Sequence, residues 1–241
     1  MKNFIETLKN IWKIEELRNR ILTTLGFLLI YRLGAFVALP GIDPQQLSAL
    51  ENQTADGLLG LLNMFTGGAF SQASIMALGI MPYISASIIL QLMTAVVPQL
   101  EKLAREGDVG RQKITQYTRY LTVIICTVQG IAMALALQSG GYFGLPASVV
   151  RIPGLGFVVL TTLSLVTGAL LLMWIGEQMT DRGIGNGISL IITVNIMASL
   201  PMAVKTLGDK LTPVDGVADI GVFHLALLIA LIFFVILGVV A

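Results

Sequence analysis

The run Gly79-Ile80-Met81-Pro82-Tyr83-Ile84-Ser85-Ala86-Ser87-Ile88-Ile89 lies within an apolar segment long enough to cross a membrane. It combines Pro82 with the small side chains of Ser85, Ala86 and Ser87. Proline removes a backbone hydrogen bond, which neighbouring helices or water must replace inside a membrane. A helix that serves only as an anchor has no need of this combination. The run therefore predicts a membrane-spanning helix that lines a passage or cavity.

Composition assigns the chain to a broad class. Of its 241 residues, 55% are hydrophobic and 12% are charged, whereas soluble proteins carry about 25% charged residues. The charges cluster between long apolar runs, so we expect an all-α membrane protein, a polytopic helical bundle. The net charge of +1 gives no indication of nucleic-acid binding. Cys126, the single cysteine, lies in an apolar run without a disulfide partner or metal-ligand spacing.

Six apolar runs approach the length of about 20 residues that a membrane helix requires. The predicted spans are 21–39, 75–97, 117–137, 156–175, 187–204 and 222–241. Residues 1–20 are predicted to form an amphipathic helix in the cytoplasmic interface, with a solvated helix on a partner subunit as the alternative. The segment 58–70 is apolar, broken by glycine and too short to span, which is typical of a segment that re-enters the membrane or packs inside a protein cavity. From spacing alone, packing filler is the more common explanation.

Lysine and arginine predict the orientation, because they favour the cytoplasmic side. Eleven of the 15 Lys and Arg residues fall in the N-terminus, at 98–119 or at 176–186. We therefore expect the N-terminus and the loops 98–118 and 176–186 to be cytoplasmic. The segments 40–74, 138–155 and 205–221 are then external.

The ionisable side chains within or beside the apolar runs all lie toward span ends, at Arg32, Arg119, Glu177 and His224. Coupled transporters normally keep such a group at membrane depth, so the sequence disfavours a small-solute transporter. An intramembrane protease needs a nucleophile with a base, and Ser189 has no base near it in sequence.

Glycines recur at 183–187 in Gly183-Ile184-Gly185-Asn186-Gly187. A phosphate-binding loop would need a following Lys-Ser/Thr pair and a preceding strand, which this run lacks. A tight turn is the favoured interpretation, with Asn186 near the N-cap of the fifth span.

Several long strings carry a family resemblance. Besides 79–89 with Gln91-Leu92, they are Glu106-Gly107, Gly110-Arg111-Gln112-Lys113-Ile114-Thr115-Gln116-Tyr117-Thr118-Arg119-Tyr120, Leu172-Met173-Trp174-Ile175-Gly176-Glu177-Gln178-Met179-Thr180-Asp181-Arg182-Gly183-Ile184-Gly185-Asn186-Gly187-Ile188-Ser189, and Asn63-Met64-Phe65 with Gly67-Gly68. They closely resemble the bacterial SecY family of protein-conducting channels. The resemblance is weakest in 138–155 and 205–221.

The resemblance implies a ten-span channel built from two inverted halves, of which this chain is the first half plus span six. Because the chain ends at Ala241 inside an apolar run, we expect the natural protein to be longer. The implied function is passive movement of unfolded polypeptides across the bacterial inner membrane, with hydrophobic segments released sideways into the lipid bilayer. The resemblance implies no catalytic residue, cofactor or metal. The implied partners are SecE-like and SecG-like small subunits, signal sequences, unfolded precursors, and the SecA motor or the ribosome.

The resemblance also implies a narrow ring of isoleucines at mid-membrane, formed here by Ile80, Ile84, Ile188 and Ile192. Each pair is spaced i, i+4, so both members project from one helix face. A ring of branched apolar side chains is poorly wetted and holds back ions. From spacing alone, contact with lipid is the more common explanation.

Three further groups follow from the resemblance. The segment 58–70 matches the plug that closes the channel from outside, with Leu58, Leu61, Leu62, Asn63, Met64, Phe65, Gly67 and Gly68. Polar contacts at the lateral gate are assigned to Ser85, Ser87, Gln91 and Gln129, for which ordinary interhelical hydrogen bonds are the alternative. Contact with a motor or ribosome is assigned to Arg105, Arg111 and Lys113, for which topology determination by positive charge is the alternative.

Overall fold

The computed structural model describes residues 13–42, 66–69, 72–139, 150–211 and 222–240, and most of these residues are helical. The helices are α1 (Glu15–Gly34), α2 (Met81–Val96), α3 (Pro98–Arg105), α4 (Asp108–Ser139), α5 (Leu155–Arg182), α6 (Gly187–Leu211) and α7 (Val222–Val240). The predicted all-α class is therefore confirmed. The chain divides into two compact units, Met1–Ile196 and Met197–Ala241. The candidate site lies in the first.

Length and composition single out the helices that fit a bilayer. Three described segments are long and apolar enough to cross it: Asp108–Ser139, Leu155–Arg182 and Gly187–Lys205. The predicted spans 117–137, 156–175 and 187–204 lie inside them. The pair α2 and α3 meets the same criteria together but is bent by 101°. Predicted span 21–39 overruns α1, which ends at Gly34, and predicted span 222–241 corresponds to α7.

The sequence places Pro82 inside predicted span 75–97, where it would remove a helical hydrogen bond, and this expectation is wrong. The predicted span begins at residue 75, but α2 begins at Met81, and Pro82 stands in its first turn. Proline is favoured there because the backbone N–H groups of the first turn have no partner within the helix, so the N–H that proline lacks is not needed. Residues 75–80 form turns instead, held by the hydrogen bonds from Ala77 N to Ser74 O and from Gly79 N to Met76 O, both 2.9 Å long.

The predicted loops 98–118 and 176–186 are largely helical. Residues Pro98–Arg105 form α3, Gly107 turns with a φ of +76°, and α4 begins at Asp108. Helix α5 continues to Arg182, beyond the predicted end of its apolar run at 175. An apolar run shows only which part of a helix fits into lipid. The backbone hydrogen bonds of α5 continue beyond its apolar run into a polar region, so the helix ends later than the run does.

Close backbone approaches fix the packing of the first unit. Helix α4 packs on α2 and α5, and α1 packs on α5. A Cβ added to Gly130 of α4 would lie 3.3 Å from Cγ2 of Thr162 on α5, and a Cβ on Gly168 of α5 would collide with the backbone carbonyl of Ile75. Small residues at such crossings allow membrane helices to approach closely.

A buried apolar cluster joins the end of α4, the start of α5 and the turns beside them. Its members are Leu39, Ile42, Ala73, Ala77, Leu137, Val150, Phe157 and Leu165. Backbone bridges from Ala38 to Ser74 and from Ile42 to Val150 tie the same turns together. In contrast, large apolar side chains such as Leu29 of α1 and Ile124 of α4 are exposed, each at 61%. An apolar exterior around an apolar core is typical of a protein surrounded by lipid.

Candidate functional site

The four isoleucines predicted to form a ring belong to one apolar cluster. Ile80 is buried, and Ile84, Ile188 and Ile192 are partly buried against the same core. We call this group of four the isoleucine cluster. Its backing is helix α5, whose Leu172, Ile175 and Met179 are fully buried. The structure thus brings together residues that are about a hundred positions apart in the sequence, while their role in a pore stays a prediction.

Gly176 of α5 brings two of these isoleucines together. A Cβ at Gly176 would lie 3.1 Å from Cγ1 of Ile188 and 3.5 Å from Cδ1 of Ile80. Both side chains therefore rest on the bare backbone of α5. A larger residue at this position would force one or both of them to move.

A polar cavity of about 740 Å³ adjoins the isoleucine cluster. Tyr83 and Ile188 line the cavity and also pack against the buried core behind the cluster. The other lining residues are polar or charged: Asp108, Arg111, Gln112, Thr115, Gln116, Arg119, Glu177, Thr180, Asp181 and Asn186. The arrangement is therefore a recess lined by polar and charged residues that borders on branched apolar side chains.

An ion pair joins α4 and α5 at the wall of this cavity. Arg119 Nε and Nη2 donate to Glu177 Oε1 and Oε2 at 3.0 and 2.7 Å, a bidentate arrangement. The Glu177 side chain is 14% exposed and that of Arg119 is 48% exposed. Glu177 falls in the predicted cytoplasmic loop 176–186, where a charge is normally solvated, but α5 extends to Arg182 and carries Glu177 into an ion pair. The sequence feature that could have predicted this ion pair is the presence of two opposite charges near the ends of neighbouring spans.

The turn between α5 and α6 is tight, as predicted, and Asn186 is its cap. Asn186 Oδ1 accepts hydrogen bonds from the backbone N–H groups of Ile188 and Ser189, at 3.0 and 3.2 Å. Gly185 adopts a φ of +69°. Thr24 of α1 accepts a 3.1 Å hydrogen bond from the N–H of Ile184, so α1 holds the turn from outside.

Of the residues assigned to the plug, Gly67 and Gly68 lie within the described part of the chain; Leu58, Leu61, Leu62, Asn63, Met64 and Phe65 lie outside it.

Sequence reasoning did not anticipate the polar side chains that form hydrogen bonds to the backbone at Thr66 and Gly67. Tyr31 Oη donates to Asn195 Oδ1 at 2.7 Å, and it also contacts Thr66 O at 3.3 Å. Arg32 Nη1 donates to Gly67 O at 2.8 Å. Tyr31 and Asn195 are 1% and 2% exposed, and a polar residue inside each apolar run was the available signal.

The residues assigned to a lateral gate are only partly brought together. Gln91 Nε2 donates to Ser87 Oγ at 3.2 Å along α2. Ser85 is half-buried on the same helix and Gln129 is exposed on α4, which packs against α2.

The three cationic residues assigned to a cytoplasmic contact have different surroundings. Arg111 lines the cavity, and Lys113 is exposed on α4. Arg105 pairs with Glu101 at 2.6 Å on the exposed surface of α3. A pair of this kind contributes little stability.

The fold and site define a multi-pass helical membrane protein with a polar cavity next to an apolar cluster. Residues 74–241 match the sequence profile of the SecY family, and the chain belongs to that family. It is 50% identical over 190 residues to the protein translocase subunit SecY of Buchnera aphidicola subsp. Acyrthosiphon kondoi, covering 78% of this chain and 52% of that protein. It is 49% identical over 189 residues to the same subunit of Escherichia coli (strain K12), covering 78% and 42%.

A solved structure supports the fold. The chain is similar to Sec61 in the canine ribosome–channel complex from the endoplasmic reticulum, with a TM-score of 0.51 and 18% identity, covering 76% of this chain and 37% of that one. The chain spans about half the length of the curated relatives it matches. These findings confirm the family resemblance inferred from the motifs.

Proposed function

We propose that this chain forms the N-terminal half of a passive channel that moves unfolded secretory polypeptides across the bacterial cytoplasmic membrane. Membership in the SecY family supports the proposal, since the relatives are named protein translocase subunits. The observation that carries it is the polar cavity beside the isoleucine cluster. A polypeptide would enter the cavity in water and cross a short apolar constriction.

The apolar nature of the constriction fits a substrate of any sequence. Dispersion contacts are weak one by one and carry no side-chain preference, so Ile80, Ile84, Ile188 and Ile192 would close around a chain without binding it tightly. The same side chains are poorly wetted and hold back ions. The same four side chains would therefore let a polypeptide of any sequence pass and hold back ions.

The remaining assignments extend this proposal. The N-terminus is cytoplasmic, and spans two and three form one side of a lateral gate with Ser85, Ser87, Gln91 and Gln129. SecE-like and SecG-like subunits support the channel, and SecA or the ribosome supplies the energy and contacts Arg105, Arg111 and Lys113.

Residues 58–70 act as the plug. Deletion of 58–68 should leave export possible and raise the resting ion leak, and an unchanged leak would count against this role.

The central test is photo-crosslinking in the complete channel subunit that contains this chain. A photo-crosslinking amino acid replaces Ile188, and a secretory precursor is arrested midway through translocation. We expect a crosslink to the mature part of the precursor that disappears when the precursor is chased through. The matched control carries the same amino acid at Leu163, which is 61% exposed on α5 and does not belong to the isoleucine cluster. Crosslinks from Ile188 only to lipid or neighbouring helices would refute the assignment.

A small-solute transporter is the alternative that hydrophobicity alone leaves open. No specific observation favours it, since the relatives are named for protein translocation. Saturable uptake of a small solute by the reconstituted channel would be needed to revive it.

A further inference from the structure

Helix α6 starts directly on the backbone of α5. A Cβ added to Gly187, the first residue of α6, would collide with the carbonyl oxygen of Gly176 and would lie 2.5 Å from Cβ of Met179. The next residue is Ile188, whose Cγ1 would lie 3.1 Å from a Cβ on Gly176. The two glycines thus allow a close approach of the helices immediately beside a residue of the isoleucine cluster.

A single hydroxyl group bridges the two glycines. Thr180 Oγ1 donates to the carbonyl of Gly176 at 2.8 Å, and it accepts from the N–H of Gly187 at 3.0 Å. A hydroxyl can donate and accept at the same time, so Thr180 uses both capacities here. The bridge fixes the position of the backbone from which Ile188 projects.

We infer that Gly176, Thr180 and Gly187 are positioning residues that hold Ile188 against Ile80 and so set the width of the isoleucine constriction. The inference rests on the proposed function of that constriction. Ile188 lies against Gly176 and also lines the cavity. A methyl group on Gly176 therefore pushes Ile188 toward the cavity and narrows the passage. Loss of the Thr180 hydroxyl instead frees the start of α6, so Ile188 seals less well.

The two substitutions should change different properties of the channel. The complete subunit with its partner subunits is reconstituted in vesicles, and the rate of precursor translocation and the resting ion leak are both measured. We expect Gly176→Ala to slow translocation about fivefold without raising the leak, because the overpacked constriction must be widened at each passage. We expect Thr180→Val to raise the leak about fivefold, which is the scale expected from the loss of one or two hydrogen bonds. The rate of translocation should change less than about twofold.

Each variant has a matched control on α5. Gly156→Ala adds the same methyl group where nothing lies within 4 Å. Thr167→Val removes an exposed hydroxyl that bonds within its own helix, to Leu163 O at 2.8 Å. Both controls should behave as the wild type. Thr180→Ser keeps the bridging hydroxyl and should restore the wild-type leak.

The outcomes separate the inference from the function on which it rests. A wild-type channel that transports no precursor overturns the proposed function. A wild-type channel that transports, with Gly176→Ala and Thr180→Val matching their controls, overturns the positioning role alone. Membrane abundance is measured for every variant. If Gly176→Ala does not accumulate, the leak of Thr180→Val is compared with that of Thr180→Ser. Thr180→Val keeps the shape of the side chain and removes the bridging hydroxyl, whereas Thr180→Ser keeps the hydroxyl, so equal leaks would overturn the positioning role.

Discussion

Replacement of Gly67 by alanine tests the packing at the end of the predicted plug. Gly67 and Gly68 both have left-handed backbone conformations, with φ values of +63° and +89°. Their surroundings differ. A Cβ on Gly67 would lie 2.6 Å from Oδ1 and 3.0 Å from Cγ of Asn195, whereas a Cβ on Gly68 would meet nothing within 4 Å. Gly68→Ala is therefore a control that also places alanine at a positive φ but lacks the contact.

Two effects set the expected loss of stability, namely the left-handed backbone conformation and the contact with Asn195. The left-handed conformation costs alanine about 1–2 kcal/mol at either position. Overpacking adds about 1–3 kcal/mol at Gly67 alone, since Asn195 is only 2% exposed and is held by Tyr31. Gly67→Ala should therefore lower the free energy of unfolding by about 2–5 kcal/mol, and Gly68→Ala by about 1–2 kcal/mol.

Thermal unfolding of the purified protein in detergent provides the assay. Cys126 is fully buried, with 0% exposure, so the rate at which its thiol is alkylated reports unfolding. Each kcal/mol lowers Tm by about 2–4 °C in a domain of 150–250 residues and by less in a longer chain. Gly67→Ala should therefore melt measurably below Gly68→Ala. Equal losses from the two variants would refute the close contact between Gly67 and Asn195.

Three further predictions use the same unfolding assay. The variants Tyr31→Phe and Asn195→Ala should show a coupling energy of about 1 kcal/mol in a double-mutant cycle, and strictly additive losses would contradict the hydrogen bond. Glu177→Gln should cost about 1 kcal/mol or less because Arg119 is partly solvated, and the loss should shrink as salt is raised; a loss independent of salt would argue against the ion pair. Asn186→Ala should cost about 1 kcal/mol while Asn186→Ser costs less, and equal costs would exclude the side chain as the helix cap.

Sequence reasoning is sufficient for the fold class and for the spans that are apolar throughout. Long apolar runs locate α4, α5 and α6, and contiguous motifs identify the family. The starting point of α2 is beyond such reasoning, because hydropathy measures composition and does not locate the first backbone hydrogen bond of a helix. For the same reason the polar helix α3 falls inside a predicted loop.

Long-range polar pairs escape sequence reasoning for a different physical reason. Tyr31 and Asn195 are 164 positions apart, and Arg119 and Glu177 are 58 apart. No local periodicity relates such partners, since their proximity depends on how whole helices pack. The isoleucine cluster is anticipated through the family resemblance, whereas spacing alone favours contact with lipid.

Gly168 has a consequence for suppressor genetics. Its neighbour is the backbone carbonyl of Ile75, and every amino acid carries that carbonyl. A larger residue at 168 therefore has no second-site suppressor at 75, since no exchange of side chains there creates room. Gly34 offers the contrast, because its neighbour is the flexible side-chain end of Met76. A smaller residue at 76 should rescue alanine at 34, and a screen of double variants for restored stability should recover that pair while recovering no equivalent pair for 168.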